Sequence, residues 1–474
     1  MFKSFSYKSI VSIVFLIAIM MEIIDVTIVN VALPKIRTVL NADINLLSWV
    51  TNGYVLSLAT AIPLSSWLGE RYGTKKIFII GINLFTFASI LCGFANNVHF
   101  LIFARVLQGI GGGMLVPVGQ TILFRSFEAA EIPALLSKLS IPLTLAPALG
   151  QTLGGLLVEY FDWHWIFWVN IPFGIFCFLT TKKYILESDT NKNKLDFIGL
   201  FLSNLAVFLL FYSFSIIHFD ASFLEPSLFF ISSIILLIIF VLYERKIQNP
   251  FFNLAVFSYR NFSLSILSNL FVFSNIMGMF YISNFIFQET LGWTSLEAGL
   301  TAIPFSLGFL FAVKMIPRIY PKKINTVPLL MSANFVCIVS GILMDFIYSK
   351  HQFNFLLFIS LLRGVSFGFL IIVLQSVGLI GIKKELMGDA SSVVTLTRYT
   401  FVGFGTALFT VLTIVFMQHY AIIPVSFTSN KSHAMQVFYW LNNISIVFLV
   451  VACAFILRLK DPTPEELNPS QTSH

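Results

Sequence analysis

Uninterrupted runs of about twenty apolar residues recur along the whole chain, and this pattern constrains the fold more than any other feature. A helix of roughly 20 residues crosses the roughly 30 Å hydrocarbon core of a bilayer. Since 57% of the 474 residues are apolar and only 11% are charged, the chain has too little polar surface to enclose these runs in water. The runs therefore predict an all-α, polytopic membrane protein.

Fourteen apolar runs are long enough to be predicted transmembrane segments. They cover residues 9–32, 46–67, 77–95, 99–122, 135–158, 165–181, 195–217, 224–243, 262–288, 298–317, 324–346, 353–380, 395–418 and 437–457. We interpret them as two six-helix bundles plus two additional transmembrane helices. The predicted boundaries are 1–182 for the N-terminal bundle, 183–260 for the extra helices with their linkers, 261–460 for the C-terminal bundle and 461–474 for a disordered tail.

Two short sequences recur in the two halves of the chain. TAIPLSS at 60–66 resembles TAIPFSL at 301–307, and FARVLQG at 103–109 resembles FISLLRG at 358–364. Internal repeats of this kind are typical of transporters that bind their substrate near the membrane midplane. The repeats therefore favour a transporter made of two related halves.

The net charge of +7 is spread over alternating loops and forms no single basic patch, so no nucleic-acid partner is expected. With the N-terminus inside, 23 of the 29 Lys and Arg lie on the inner side and four outside, which leaves Arg105 and Arg363 within spans. Positively charged loops favour the cytoplasmic side of a membrane. We therefore predict cytoplasmic termini and an inner-membrane location.

Two acidic residues, Glu22 and Asp25, interrupt the first apolar run. Residues three apart are neighbours on one helix face, and charged groups in spans normally face a bundle interior or a wet cavity. Burial away from water makes it costly to charge such a carboxyl, which suits a group that loads and releases protons. A structural acid paired with an arginine of another span is the alternative, and Asp25 is the better candidate for proton coupling.

Arg105 begins a polar face in the fourth run. Gln108, Gly109, Gly112 and Gly113 follow it at spacings of three and four. A guanidinium at this depth can neutralise Asp25, and glycines allow another helix backbone to approach closely.

The fifth run places small or polar residues along one helix face, at Pro147, Gly150, Gln151, Gly154 and Gly155. One interpretation is a pliable seam along which two bundles move against each other. The other is close static packing, which membrane helices also achieve with small residues.

An inner loop at 66–78 joins the second and third runs. It contains Gly69, Glu70, Arg71, Gly73 and Lys75. Its cations satisfy the topology rule in any case, and Glu70 with Arg71 could in addition form a gate that closes in one state and opens in another.

Other polar residues are candidates by position alone. Cavity-lining candidates are Asn30, Trp49, Tyr54, Gln108, Gln120 and Arg363. The seven histidines have no spacing that would form a metal site, and no nucleophile or phosphate loop is recognisable, so neither a metal nor an enzymatic activity is expected.

Together these motifs resemble the fourteen-helix drug:proton antiporters of the major facilitator superfamily. DVTIVNVALP at 25–34 is similar to the first-span signature of that subfamily, SWLGERYGTKKIF at 66–78 to the inner-loop motif and RVLQGIGGG at 105–113 to the fourth-span motif. APALGQTLGG at 146–155 resembles the fifth-span motif of antiporters, and WHWIFWVNIPFG at 163–174 the approach to the sixth span. The chain departs from these patterns at Gln151, His164, Ser66 and Glu70, where Pro, Arg, Gly and Asp are usual.

The resemblance implies proton-coupled export of lipophilic or amphipathic, drug-like compounds, with Asp25 as proton carrier and Arg105 modulating its proton affinity. Expected partners are the lipid bilayer, a small lipophilic substrate and protons, with a periplasmic adaptor as an option. No cofactor beyond the proton gradient is expected. A dedicated metabolite or siderophore exporter fits the same sequence, and a non-transporting membrane sensor on this fold is a third option.

Overall fold

The computed structural model describes residues 6–127, 131–187, 196–217, 224–247, 253–320, 325–383, 386–420 and 431–461, and within them it is all-helical, with no β-strand. The helices are α1 (Tyr7–Leu40), α2 (Ile44–Tyr72), α3 (Thr74–Cys92), α4 (Val98–Arg125), α5 (Ile132–Tyr160), α6 (Trp165–Trp168), α7 (Asn170–Tyr184), α8 (Phe197–Ser215), α9 (Leu224–Glu244), α10 (Arg260–Phe285), α11 (Ser295–Leu300), α12 (Ala302–Ile319), α13 (Thr326–Met344), α14 (Phe353–Leu379), α15 (Met387–His419) and α16 (Lys431–Ile456).

Each predicted apolar run overlaps one of these helices, with α6 and α7 together forming the sixth and α11 and α12 the tenth. In the described residues, twelve helical segments are long and apolar enough to cross a membrane. α2 has a shorter apolar stretch, Leu46–Ile62, and α5 is outside the twelve. The all-α membrane fold is thus confirmed, whereas fourteen spans and cytoplasmic termini stay predictions. The predicted tail lies outside the described residues from 462 onward.

Local sequence explains where several helices begin. Ser6 accepts a hydrogen bond from the amide of Ser9 at 3.3 Å at the start of α1, and Asn97 accepts one from Phe100 at 2.8 Å at the start of α4. Thr294 and Glu297 form a reciprocal capping box at the start of α11. Such caps satisfy amide groups that have no partner within the helix, and so they fix the helix ends.

α1 ends later than the sequence predicts. The apolar run ends near residue 32, and a proline such as Pro34 usually interrupts a helix. The helix continues to Leu40, because its last turns are packed inside the protein: Leu33 and Ile36 are fully buried. Asn41, with φ 47°, adopts the left-handed conformation that ends the helix.

The chain divides into two compact units, and the first contains residues 1–197 and 293–303. Glycines set its helix packing. A side chain on Gly109 or Gly113 would overlap the backbone of α2, and one on Gly111 would overlap the backbone of α3. α4 therefore lies closely against both neighbours, which brings its polar side chains within reach of other helices.

The second unit contains residues 198–292 and 304–474. Its core is a layer of apolar side chains from α10, α13, α14 and α16, among them Leu330, Leu370 and Leu374. Buried amides join these helices through main-chain carbonyls: Asn275 donates to Ser445 O at 2.7 Å and Asn334 donates to Leu449 O at 2.8 Å. Such bonds satisfy polar groups inside a membrane without adding charge.

The predicted extra helices, α8 and α9, belong to this second unit. Ser233 on α9 donates to Ala206 O on α8 at 2.8 Å. Ile231, Ile235 and Leu242 are each more than half exposed on α9. An exposed surface of this composition is suited to contact with lipid.

Candidate functional site

Asp25 is the centre of a buried polar cluster in the first unit. Its side chain is fully buried in α1. Three side chains donate hydrogen bonds to the carboxylate: Arg105 forms an ion pair with Oδ2, Gln108 donates to Oδ1 at 2.7 Å and Asn170 donates to Oδ1 at 2.8 Å. Donors from α4 and α7 thus converge on an acid in α1, and charge-assisted bonds of this type are stronger than neutral ones.

Arg105 is also fully buried; its Nε and Nη1 have hydrogen-bond partners, whereas its Nη2 has none among the described residues. Besides the ion pair, Nε donates to Val50 O of α2 at 3.0 Å and Nη1 donates to Gln108 Oε1 at 2.8 Å. The guanidinium carbon lies 4.0 Å from the centre of the Tyr54 ring, within range of a cation–π interaction. Burial of this charge is therefore offset by an opposite charge, an oriented carbonyl and an aromatic face.

Ser89 on α3 completes the cluster. Its hydroxyl accepts from Gln108 Nε2 at 2.9 Å and from Asn170 Nδ2 at 3.1 Å, and it donates to Phe167 O at 3.1 Å. Neither Ser89 nor Asn170 was predicted to be a site residue. Asn170 carried a signal, because it is a polar residue in an apolar run and within one of the recognised motifs, but Ser89 carried none.

Glu22 lies one helical turn before Asp25 and is 1% exposed, so both acids are inside the protein. The structure thus brings together Asp25, Arg105 and Gln108 as one cluster, with Tyr54 beneath the guanidinium. Their role in proton coupling remains a prediction.

The remaining cavity candidates of the first unit do not join the cluster. Asn30 is buried and accepts from the Thr51 hydroxyl at 3.5 Å. Trp49 is partly buried, whereas Gln120 is exposed on α4.

The small residues of α5 serve two contacts. A side chain on Gly150 or Gly154 would overlap α1 at Ile24 or Ile28, and one on Gly155 would overlap Ser295 of α11. Gln151 is buried, and Pro147 is partly buried. A side chain on Gly299 of α11 would overlap the backbone of Gln151. The close packing is therefore present, and the movable seam stays a prediction.

At the inner loop, Gly73 has φ 101°, a conformation that side chains rarely adopt. The carboxylate of Glu187 lies against Gly73 and accepts from the amides of Lys75 at 2.9 Å and Lys76 at 3.2 Å, so it caps the start of α3. Glu187 was not predicted to be a site residue, because a charged residue directly after a transmembrane segment is expected whether or not it has a function.

The remaining loop residues leave the predicted gate untested. Gly69 is buried, and Arg71 is exposed with its guanidinium over Trp67 and Tyr72, at 5.2 and 5.8 Å. The side chain of Glu70 lies outside the described part of the structure. Its predicted pairing with Arg71 therefore stays a prediction.

Arg363 on α14 belongs to the second unit and has a different environment from Arg105. Its Nη1 contacts the sulfur of Met344, and the Cys337 thiol lies beside the guanidinium. Its Nε is buried, and no described residue forms a hydrogen bond with it. Among the described residues, no carboxylate forms an ion pair with Arg363.

Two acids outside the spans have shifted pKa values in opposite directions. Partial burial alone would raise the pKa of Asp162, but hydrogen bonds from the His164 amide, at 3.1 Å, and from its ring, together with Lys35, hold that pKa below its usual value. Burial raises the pKa of Asp345 at the end of α13, against the opposing effect of amides from Asn442 and Asn443. Within the described residues there is no cluster of His, Cys, Asp and Glu that could hold a metal ion.

Known proteins share both sequence and fold with this chain. It is 27% identical over 438 residues to a Citrobacter koseri protein named as multidrug resistance protein MdtD, covering 90% of each chain. It is 32% identical over 322 residues to a protein named as multidrug resistance protein EmrY of Escherichia coli K12, covering 66% of this chain and 62% of that protein.

Two solved structures have the same fold. A bacterial homologue of the human lysosomal transporter Spinster matches 96% of this chain and 97% of its own, with TM-score 0.64 and 15% identity. A POT family transporter in complex with 5-aminolevulinic acid matches 94% of this chain and 96% of its own, with TM-score 0.67 and 14% identity. The family model described as Major Facilitator Superfamily matches residues 15–406. The chain therefore belongs to the Major Facilitator Superfamily, and it is a multi-pass membrane transporter rather than an enzyme.

Proposed function

We propose that this protein exports lipophilic or amphipathic compounds across the inner membrane in exchange for protons, with Asp25 as the proton carrier. The observation that supports the proposal most is the complete burial of the Asp25 carboxylate against Arg105 within a membrane-spanning unit. Ionisable residues inside membranes are costly and are mostly functional. The names of MdtD and EmrY as multidrug resistance proteins support drug-like cargo.

Protonation of Asp25 provides a physical route to coupling. A neutral carboxyl no longer compensates Arg105, and it is a weaker acceptor for Gln108 and Asn170. The contacts that tie α1 to α4 and α7 are then weakened together, while Val50 O and the Tyr54 ring still hold Arg105 to α2. A proton can thereby shift the balance between two helix arrangements, which is what transport against a gradient requires.

The partners follow from this proposal. The bilayer, a small lipophilic substrate and protons are sufficient for antiport, with no cofactor. A periplasmic adaptor would extend the export path beyond the inner membrane.

The test is dye uptake by energised inverted vesicles that contain the full chain. We expect uptake in the wild type that a protonophore abolishes and that Asp25→Asn reduces at least about 100-fold, since the variant cannot exchange a proton. Glu159→Gln is the matched control, because Glu159 is an exposed acid at the end of α5, and it should transport normally.

Two results would contradict the proposal. Uptake that persists in Asp25→Asn would exclude Asp25 as the carrier. An inserted wild-type protein that moves none of several chemically different dyes would favour a dedicated metabolite or siderophore exporter.

A further inference from the structure

We propose that Arg363 binds the anionic group of an amphipathic organic acid, so that the second unit selects acidic cargo. The inference rests on the proposed export function where it treats the ligand as cargo. The binding site itself can be tested without transport.

The first step is the contrast between two membrane arginines. Arg105 has Asp25, a main-chain carbonyl and an aromatic face, whereas Arg363 has the Met344 thioether and the Cys337 thiol. Sulfur atoms are weak acceptors and cannot compensate a guanidinium. Since an unpaired charge inside a membrane is unfavourable, an anion from outside the chain would stabilise Arg363.

The second step concerns the nearest acid along the chain. Asp345 follows Met344 directly, but its carboxylate points to α16, where Asn442 donates to Oδ1 at 2.7 Å and Asn443 donates to Oδ2 at 3.4 Å. It forms no ion pair with Arg363 in the described structure. No described carboxylate therefore competes with a ligand for the guanidinium.

The third step is the direction in which Arg363 faces. Phe358 and Leu361, 52% and 38% exposed, mark the outward side of α14. At about 100° per residue, Arg363 lies roughly 140–160° around the helix from both. Arg363 is nevertheless partly exposed as a residue. It therefore lies on the side of α14 away from the exposed apolar surface, a position that fits contact with cargo better than contact with a surrounding lipid.

The fourth step is the chemistry of the ligand. A guanidinium offers parallel N–H donors that match the two oxygens of a carboxylate or the oxygens of a phosphate. The Met344 side chain that it contacts is apolar and buried. The ligand class that fits is an organic anion with an apolar body, and an aromatic or long-chain carboxylic acid is the simplest member.

The experiment measures equilibrium binding to the purified full-length protein. The probe is a dansyl-labelled undecanoic acid, compared with its uncharged amide. We expect the wild type to bind the acid more tightly than the amide. Arg363→Gln should weaken acid binding about 10-fold or more and leave amide binding unchanged. Arg363→Lys should keep part of the preference for the acid over the amide, because lysine keeps the positive charge but lacks the parallel N–H donors of the guanidinium.

Arg318→Gln is the matched control, because Arg318 is an exposed cation at the end of α12 and should bind the acid like the wild type. Melting temperatures identify any variant that fails to fold. If Arg363→Gln fails to fold, Arg363→Lys still tests the proposal. Equal binding of acid and amide by the wild type would overturn the proposal. So would an equal loss of both probes in a folded Arg363→Gln variant.

Two further arms separate the possible sources of failure. Arg363-dependent binding of phosphatidylglycerol in mixed micelles, without binding of the carboxylate probe, would overturn the assignment to cargo. Glu159→Gln, which changes an exposed acid in the other unit, should bind the acid normally. If the wild type binds the acid but transports no dye, the Arg363 site is supported and only the export proposal is rejected.

Discussion

The two units each hold an arginine inside a membrane-spanning helix, and they surround it differently. In the first unit, Arg105 is paired with Asp25 and held by α2 and α4. In the second, Arg363 contacts two sulfur-bearing side chains and has no acid partner among the described residues. A charge that is compensated internally can respond to a proton on its partner, whereas one without a partner is suited to bind an anion.

The buried amides differ in the same way. Asn170 and Gln108 donate to a carboxylate, so their bonds change strength when that group gains a proton. Asn275 and Asn334 donate to main-chain carbonyls, which do not titrate. The bonds around Asp25 would therefore respond to a proton, whereas the bonds of Asn275 and Asn334 would not.

The largest expected effect separates the two arginines. Arg105→Gln leaves Asp25 buried without its counter-charge, and we expect a loss of about 3–5 kcal/mol of stability together with loss of transport. Arg363→Gln removes a charge that has no acid partner among the described residues, so the stability of the variant should equal or exceed that of the wild type. Thermal unfolding of both purified variants measures this difference. The double variant that combines Asp25→Asn with Arg105→Gln should recover part of the stability that Arg105→Gln loses. Equal destabilisation by both single variants would remove the distinction between the units.

A smaller effect separates the two kinds of amide. Asn170→Ala removes a hydrogen bond to a charged group and should cost about 1.5–3 kcal/mol. Because Asn170 binds the proposed proton carrier, the variant should also transport dye more slowly than the wild type in inverted vesicles. Asn275→Ala is the control: it removes a buried bond to Ser445 O and should lower stability without slowing transport by the folded protein. A wild-type transport rate in Asn170→Ala would assign Asn170 to packing alone.

The sequence carried enough information for most of the helices and for the centre of the first site. Apolar runs mark helices of a membrane protein because both properties depend on local composition. Asp25 and Arg105 stand out because a charge in such a run is rare. Their pairing was expected, since a membrane interior leaves few other ways to compensate them.

Other features depend on which helices meet, and local sequence does not carry that information. Ser89 resembles every other serine in an apolar helix until α3, α4 and α7 are placed side by side. Glu187 looks like an ordinary loop acid until the end of α7 lies at the start of α3. That Arg363 has no acid partner among the described residues also depends on which helices surround it, so it could not be predicted from local sequence.

The smallest expected effect compares two acids, one in each unit, outside the membrane-spanning helices. Burial raises the pKa of Asp345 above its usual 3.8 in the folded state, so this group stabilises the fold at acid pH, and that stability is lost as the pH rises through the raised value. Asp345→Asn cannot become charged, and it should therefore melt about 1–2 °C higher than the wild type near neutral pH and at the same temperature near pH 4.

Asp162 should behave in the opposite way, because its pKa is lowered and its ionised form is the one that His164 and Lys35 stabilise. Its contribution is present above the usual pKa and is lost as the pH falls through the lowered one. Asp162→Asn should therefore lower the melting temperature slightly at neutral pH, and the exposed carboxylate limits the size of this effect. Melting curves of both variants between about pH 2 and 8 should diverge from the wild type in opposite directions as the pH rises. If the melting temperatures of both variants shift in the same direction, the two acids have similar surroundings in solution. The two units would then differ only in how the charges of their arginines are compensated.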